Sequence, residues 1–369
     1  MKGEFKHFFP GSNTSKGFYS FYRYILPQET ARRIFCIKGG PGTGKSSFMK
    51  KIGQYFNEKG YDVEYHHCSS DNNSLDGVVI KGLNVAFIDA TAPHIVDPIN
   101  PGAVDEVLNF GDFWNERGFS DYKNSIISIN KQIGKIFKRA YRYIGASKTI
   151  HDDWSFYNNE ALNNSKLNLL KEDLKKEILG DIPISNTGID RHLFATAFTP
   201  NGIITYIDSI YKNYKRVYVL NGEPGTGKTS VLSYICDEAL KRGLSVEVYH
   251  DPLIPERIEH LLIPNLSIAL LTSNEINNRN FVGNQINMKD LLNQKLLEKS
   301  YEEITEARDT FYLLLNKGLS IISKAKALHD ELEKCYIPNM DFDKVENKFN
   351  EIITRLLKYE KEYKSNILR

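Results

Sequence analysis

The sequence predicts an α/β chain of two similar domains, each a parallel sheet with helices, closed by a long helical appendage. Three observations carry this: an internal duplication, apolar runs alternating with helix-forming stretches, and two glycine-rich loops at matching places.

The duplication sets the frame. Ile34-Phe-Cys-Ile-Lys38 leads into Gly39-Gly40-Pro41-Gly42-Thr43-Gly44-Lys45-Ser46-Ser47. Val217-Tyr-Val-Leu-Asn221 leads into Gly222-Glu223-Pro224-Gly225-Thr226-Gly227-Lys228-Thr229-Ser230. At the same spacing Gly60 falls on Gly243, Val63-Glu64 on Val246-Glu247, His67 on His250 and Val85 on Ile268, without a gap. Upstream, His7-x-Phe9 matches His192-x-Phe194; downstream, Lys148-x-x-His151-Asp152 matches Lys326-x-x-His329-Asp330. The halves are therefore residues 1–180 and 181–369, joined by the turn-rich segment 181–188.

Within each half the elements follow one order. An arm precedes an apolar strand, the glycine loop and a helix. A second strand (63–67; 246–250) and a third (85–88; 268–271) come next. Strands joined by a helical crossover imply a parallel sheet covered on both faces. Long polar helical stretches, about 120–179 and 291–364, close the halves. Ile133, Phe137, Tyr141 and Ile144 recur at helical spacing in the first, and Val345, Phe349, Ile352, Leu356 and Tyr359 in the second.

Both loops fit G-x-x-x-x-G-K-[ST] between a strand and a helix, the arrangement that wraps backbone N–H groups around phosphate. The expected fold is therefore a pair of P-loop domains. Lys45 is expected to reach the β- and γ-phosphates, and the Ser46 hydroxyl to ligate Mg2+, with Lys228 and Thr229 repeating those roles. Residues 39–47 and 222–230 together are the expected binding residues for ATP; no Asn-Lys-x-Asp guanine-reading motif occurs.

The third strand separates the halves. Asn84-Val-Ala-Phe-Ile-Asp89 ends in a carboxylate able to hold the metal shell, whereas Thr272 stands at that place in the second half. The first half is thus expected to hydrolyse and the second to bind or regulate, with Asp251 and Glu275 near the same sheet edge as substitutes for the acid. Asp71, His94 and Asp97 are candidates for positioning water, on loops leaving strand ends, and Asp71 is expected to be catalytic with Lys45 and Asp89. Arg117, Arg191 and Arg279 are candidate charge-stabilising arginines.

Other groups read more plainly. His66-His67-Cys68 with His94 lacks the spacing of a closed zinc site. His151-Asp152 and His329-Asp330 diverge by about 100° on a helix and read as polar contacts. Lys131, Lys135, Lys138, Arg139 and Arg142 read as a solvated face, and the aromatics between Phe18 and Tyr24 as sheet packing.

Composition narrows the class. A formal net charge of +2 offers no bulk attraction to nucleic acid, and no apolar run is long enough for a membrane span. Four scattered cysteines read as reduced thiols, and no apolar leader follows Met1; a cytoplasmic protein is expected.

Residues 39–46, Asp76-Gly-Val-Val, Phe87-Ile-Asp-Ala-Thr-Ala-Pro-His94, Pro101-Gly-Ala-Val-Asp-Glu106 and residues 222–229 together resemble a family of tandem P-loop proteins. That family is found in low-GC, often spore-forming bacteria and is labelled only as ATPases. The resemblance covers essentially the whole chain and implies ATP binding and hydrolysis. The expected activity is an Mg2+-dependent P-loop ATPase. The alternatives are a small-molecule or nucleotide kinase, and a nucleotide sensor whose appendages bind a protein partner.

Overall fold

The computed structural model describes residues 1–92 and 96–367. His94 lies outside them.

In the first half the chain forms β1 (Phe5–Phe8), β2 (Gly11–Thr14), β3 (Gly17–Ser20), β4 (Arg33–Lys38), α1 (Lys45–Glu58), β5 (Val63–His67), β6 (Leu75–Ile80), β7 (Val85–Asp89), β8 (Asp105–Asn109), α2 (Lys123–Glu160) and α3 (Asn164–Leu179). The second half repeats the order. It has β9 (Asp190–Leu193), β10 (Thr196–Thr199), β11 (Gly202–Thr205), α4 (Ile207–Tyr211), β12 (Arg216–Asn221), α5 (Lys228–Leu240), β13 (Val246–His250), β14 (Ile258–Ile263), β15 (Ile268–Ser273), β16 (Asn284–Asn287), α6 (Gln294–Lys299), α7 (Tyr301–Tyr336) and α8 (Phe342–Ile367).

Two six-stranded sheets result, ordered β1-β5-β6-β7-β4-β8 and β16-β12-β15-β14-β13-β9. They are mixed, which corrects the expectation of parallel sheets. β6 runs antiparallel to β5 and β7, and β14 to β13 and β15, while the other pairings are parallel. The physical reason is loop length. The connections through 68–74 and 81–84 are too short for a helical crossover, so β6 must return as a hairpin strand. Its sequence, Leu-Asp-Gly-Val-Val-Ile, hides a fully buried strand behind two turn-type residues.

The chain divides into two compact units that differ from the repeat halves. One holds Met1–Pro10, Phe21–Phe137 and Ile322–Arg369; the other holds Gly11–Ser20 and Lys138–Ile321. α2 and α7 therefore each belong partly to both.

In the first unit, Phe48, Met49, Ile52 and Phe56 of α1 pack onto Phe35 and Phe87, whose rings stack with centroids 4.5 Å apart. The same core is closed by Val345, Ile352, Ile353 and Leu356 of α8, the apolar stripe legible in the sequence. Arg355 clamps this helix to β8 through Glu106, at 2.8 Å. In the second unit, Val231, Leu232 and Ile235 of α5 meet Leu220 and Leu270, and Leu167, Leu174 and Ile178 of α3 close that core. Each sheet is thus covered by the last helix of the other repeat. The hairpin β2–β3 also crosses over, since Asn13 Nδ2 donates to the Phe198 carbonyl at 2.8 Å within the second unit.

Candidate functional site

Both glycine loops adopt one conformation. Gly42 and Gly44 have φ of 69° and 89°, and Gly225 and Gly227 have φ of 77° and 93°. That left-handed region is open to glycine at little steric cost, and it turns the chain directly into α1 and α5. Lys45 and Lys228 open those helices. Thr43 Oγ1 donates to the Gly40 carbonyl, and Thr226 Oγ1 to the Glu223 carbonyl, both at 2.8 Å, which pins each loop.

At the first loop, Lys45 Nζ donates to the carbonyls of Gly39 (2.6 Å) and Gly40 (2.7 Å). It lies 3.5 Å from Asp89 Oδ2. Asp89 Oδ1 accepts from the Thr91 amide at 2.9 Å, and Thr91 Oγ1 donates to the Gly39 carbonyl at 2.8 Å, tying the end of β7 to the loop. Ser46 Oγ accepts from the Leu75 amide at 3.0 Å. The structure thus brings Lys45 and Asp89 together.

Asp71 has two partners of its own. Its Oδ2 accepts from Ser74 Oγ at 2.9 Å and from Lys326 Nζ of α7 at 3.1 Å. Burial pushes this carboxyl up, but the Ser74 and Lys326 bonds outweigh it and hold it below its ordinary value. Asp97 pairs with Lys38 Nζ at 3.0 Å. The end of α7 lies over the loop itself. A Cβ on Gly40 would fall 2.3 Å from the Tyr336 ring, and one on Gly42 would fall 3.2 Å from the Glu333 backbone.

At the second loop, Lys228 Nζ donates to the carbonyls of Gly222 (2.6 Å) and Glu223 (2.7 Å). Here α2 supplies the cover. Asn158 Nδ2 donates to the Pro224 carbonyl at 2.7 Å, and a Cβ on Gly225 would fall 2.1 Å from the Ser155 carbonyl oxygen. Beneath it opens a cleft of about 200 Å³ whose walls include Lys228, Thr229, Asp251, Arg257, Glu259 and Glu275.

The three carboxylates of this cleft differ. Glu275 Oε1 lies 2.6 Å from His151 Nε2 of α2. Burial alone would push Glu275 up. The His151 bond and the charges of His151 and Lys228 outweigh that and bring it down to about 2. Asp251 is raised by burial and then by the Glu275 charge, even though its Oδ1 accepts the Leu253 and Ile254 amides. Glu259 is pushed up to about 8, by burial and then by Asp251. Thr272 Oγ1 donates to the Glu259 carbonyl at 2.8 Å and accepts from Asn274 Nδ2 at 3.2 Å.

Several groups weighed in the sequence fall elsewhere. Arg279 pairs with Asp208, 3.5 Å away, and Arg191 sits on β9; the arginine in the cleft is Arg257, which the sequence did not single out. His67 Nε2 lies 2.8 Å from His7 Nδ1, and His250 Nε2 lies 2.8 Å from His192 Nδ1, so the duplicated histidines form two matched pairs. Among the described residues no group of three or more His, Cys, Asp or Glu is arranged to hold a metal. Lys131, Lys135, Lys138, Arg139 and Arg142 are all exposed on α2. No described helix is long and apolar enough to cross a membrane.

No protein-family model, curated protein or solved structure matches the chain, and the functional reading therefore rests on the geometry of the two loops.

Proposed function

We propose that the chain binds Mg-ATP at both glycine-rich loops and hydrolyses it at the first. The observation that carries this is the matched pair of loops. In each, a left-handed glycine precedes a lysine that opens a helix and whose ammonium is held at the mouth of the loop. Loop N–H groups and the positive helix end suit a phosphate chain. Lys45 and Lys228 would exchange loop carbonyls for phosphate oxygens as nucleotide enters.

The donor set at the first loop fits Mg2+, which keeps most of its water and takes one or two carboxylates. Ser46 Oγ and Asp89 would hold it, and Asp89 already stands 3.5 Å from the lysine that would share the phosphate. The ion would supply charge neutralisation at the phosphates. In hydrolysis a water oxygen bonds to the γ-phosphorus as the bond to the β-bridging oxygen breaks, releasing ADP and inorganic phosphate while the water's proton passes to solvent. Asp71, kept ionised by Ser74 and Lys326, is the carboxylate proposed to orient that water. A cytoplasmic setting accords with the scattered free thiols, all of them buried.

Membership of the tandem P-loop ATPase family that the motifs resemble is part of the same proposal. Equilibrium dialysis with a non-hydrolysable ATP analogue tests it. Two nucleotides should bind per chain, and Lys45→Ala and Lys228→Ala should each remove one; no binding to the wild type would end the reading.

A second reading, a nucleotide sensor signalling to a protein partner, is favoured by one observation. Helices lie directly against both loops, Tyr336 on Gly40 and Ser155 on Gly225, so filling a loop would act first on the appendages. The kinase alternative gains no comparable support.

A further inference from the structure

The second loop presents a problem of charge. Thr272 occupies the strand-end place that Asp89 holds in the first half, and its hydroxyl is committed to the Glu259 carbonyl at 2.8 Å. A triphosphate with its divalent cation needs a nearby anion to hold the metal shell. We propose that Glu275 is that anion, holding Mg2+ at the second loop together with the Thr229 hydroxyl, and that His151 is the residue that positions it. This rests on the reading that the loop binds a nucleoside triphosphate.

Four observations support the assignment. Glu275 lies just beyond β15 and lines the same cleft as Lys228 and Thr229. One of its oxygens is fixed, Oε1 lying 2.6 Å from His151 Nε2. The other, Oε2, is buried and has no hydrogen-bond partner among the described residues. Its side chain is only 6% exposed. A buried carboxylate oxygen left without a donor is costly, and a metal-bound water or the ion itself removes that cost.

The other two acids of the cleft serve less well. Asp251 Oδ1 is already used by two backbone amides, and burial together with Glu275 disfavours its charge. Glu259 Oε2 is likewise buried without a hydrogen-bond partner among the described residues, but Glu259 lies inside β14 and its Oε1 accepts from Asn277 Nδ2 at 2.8 Å. Of the three acids, Glu275 is the one that follows β15, the strand matching the one that carries Asp89 in the first half. One carboxylate and one hydroxyl suffice for Mg2+, because water fills most of its shell.

His151 acts through Glu275. It comes from α2, near the Ser155 and Asn158 contacts that cover the loop, and its bond orients the carboxylate so that Oε2 is the oxygen left for the ion. Orienting partners of this kind contribute strongly to metal affinity.

The test uses the full chain carrying Lys45→Ala, which leaves the second loop intact, with Mn2+ as a paramagnetic stand-in for Mg2+. Bound Mn2+ is counted by its spin-resonance signal with and without a non-hydrolysable ATP analogue. Nucleotide-dependent Mn2+ binding should weaken on the order of 10–100-fold in Glu275→Gln. His151→Ala should weaken it in the same direction. His151→Gln, whose amide can donate to the same oxygen, should restore much of it, which a purely packing role would not. Unchanged Mn2+ affinity in Glu275→Gln overturns the proposal, even if turnover changes. If Glu275→Gln fails to fold, the His151→Ala and His151→Gln pair decides, and equal Mn2+ affinity in both refutes the role of His151 and Glu275. Analogue binding with no Mn2+ at all in the Lys45→Ala chain would sink this inference while sparing the nucleotide reading. Binding of neither would overturn the nucleotide reading of the second loop and this inference with it.

Discussion

The duplicated histidine pairs give the sharpest consequence for stability. Burial, then the neighbouring His7, push His67 from its ordinary 6.5 down to about 3. Burial, then His192, bring His250 to about 4. Both rings are therefore neutral in the folded chain at pH values where the unfolded chain would protonate them. The unfolded state binds the extra proton, so stability falls as pH drops below 6.5 and stops falling near the folded-state values. Each pH unit in that window is worth about 1.4 kcal/mol per group, so His67 should cost about 2 kcal/mol at pH 5 relative to pH 7.5. Glu259 acts in the opposite sense. Its folded value of about 8 means that acidification down to 4.5 relieves a penalty, which would mask a histidine in any single pH profile. The assay is therefore a difference: urea unfolding of the wild type and of His67→Gln at pH 7.5 and pH 5. The wild type should lose about 2 kcal/mol relative to the variant between those values. A difference that stays constant with pH, or a His67 imidazole titrating near 6.5 by NMR, would refute the reasoning.

Three further expectations follow from local geometry. Gly225→Ala places a methyl 2.1 Å from the Ser155 carbonyl at a φ of 77°, and should lower stability on the order of 2–3 kcal/mol in urea unfolding. Gly134→Ala, inside α2 with nothing within 4 Å of the added methyl, should raise it by roughly 0.5–1 kcal/mol; equal effects at the two glycines would contradict the packing described. Tyr22→Phe removes the 2.7 Å bond to Asp76, a buried carboxylate, and should destabilise by about 1–3 kcal/mol by the same measurement.

Much of the local structure was legible in the sequence because it is encoded over short windows. The duplicated apolar runs gave the strands Val63–His67 and Val246–His250, and the stripe from Val345 to Tyr359 is the face of α8 that meets the first core. β6 was not legible, because Asp76 and Gly77 read as turn residues, yet tertiary burial makes them strand. Its one available signal was repetition, since Glu259 and His260 stand at the matching places in β14.

Which helix covers which sheet could not be read either. α3 and α8 reach their cores through long-range packing that no local period encodes. The cleft follows the same rule. Lys228 and Thr229 announce themselves by motif, whereas His151, the pair Arg257 and Glu259, and Glu275 meet there from three separate segments. Of these, His151 carried a signal in its recurrence as His329, and Glu275 only its nearness to the sheet edge.

One loop that hydrolyses and one that only binds are separated by Mg2+-dependent ATP turnover. Wild type, Lys45→Ala, Asp89→Ala and Lys228→Ala are compared, with bound nucleotide counted in each. Turnover should be abolished in Lys45→Ala and Asp89→Ala with one nucleotide still held at the second loop, and only modulated in Lys228→Ala. Equal loss of turnover in Lys45→Ala and Lys228→Ala, or undiminished turnover in Asp89→Ala, would contradict that division.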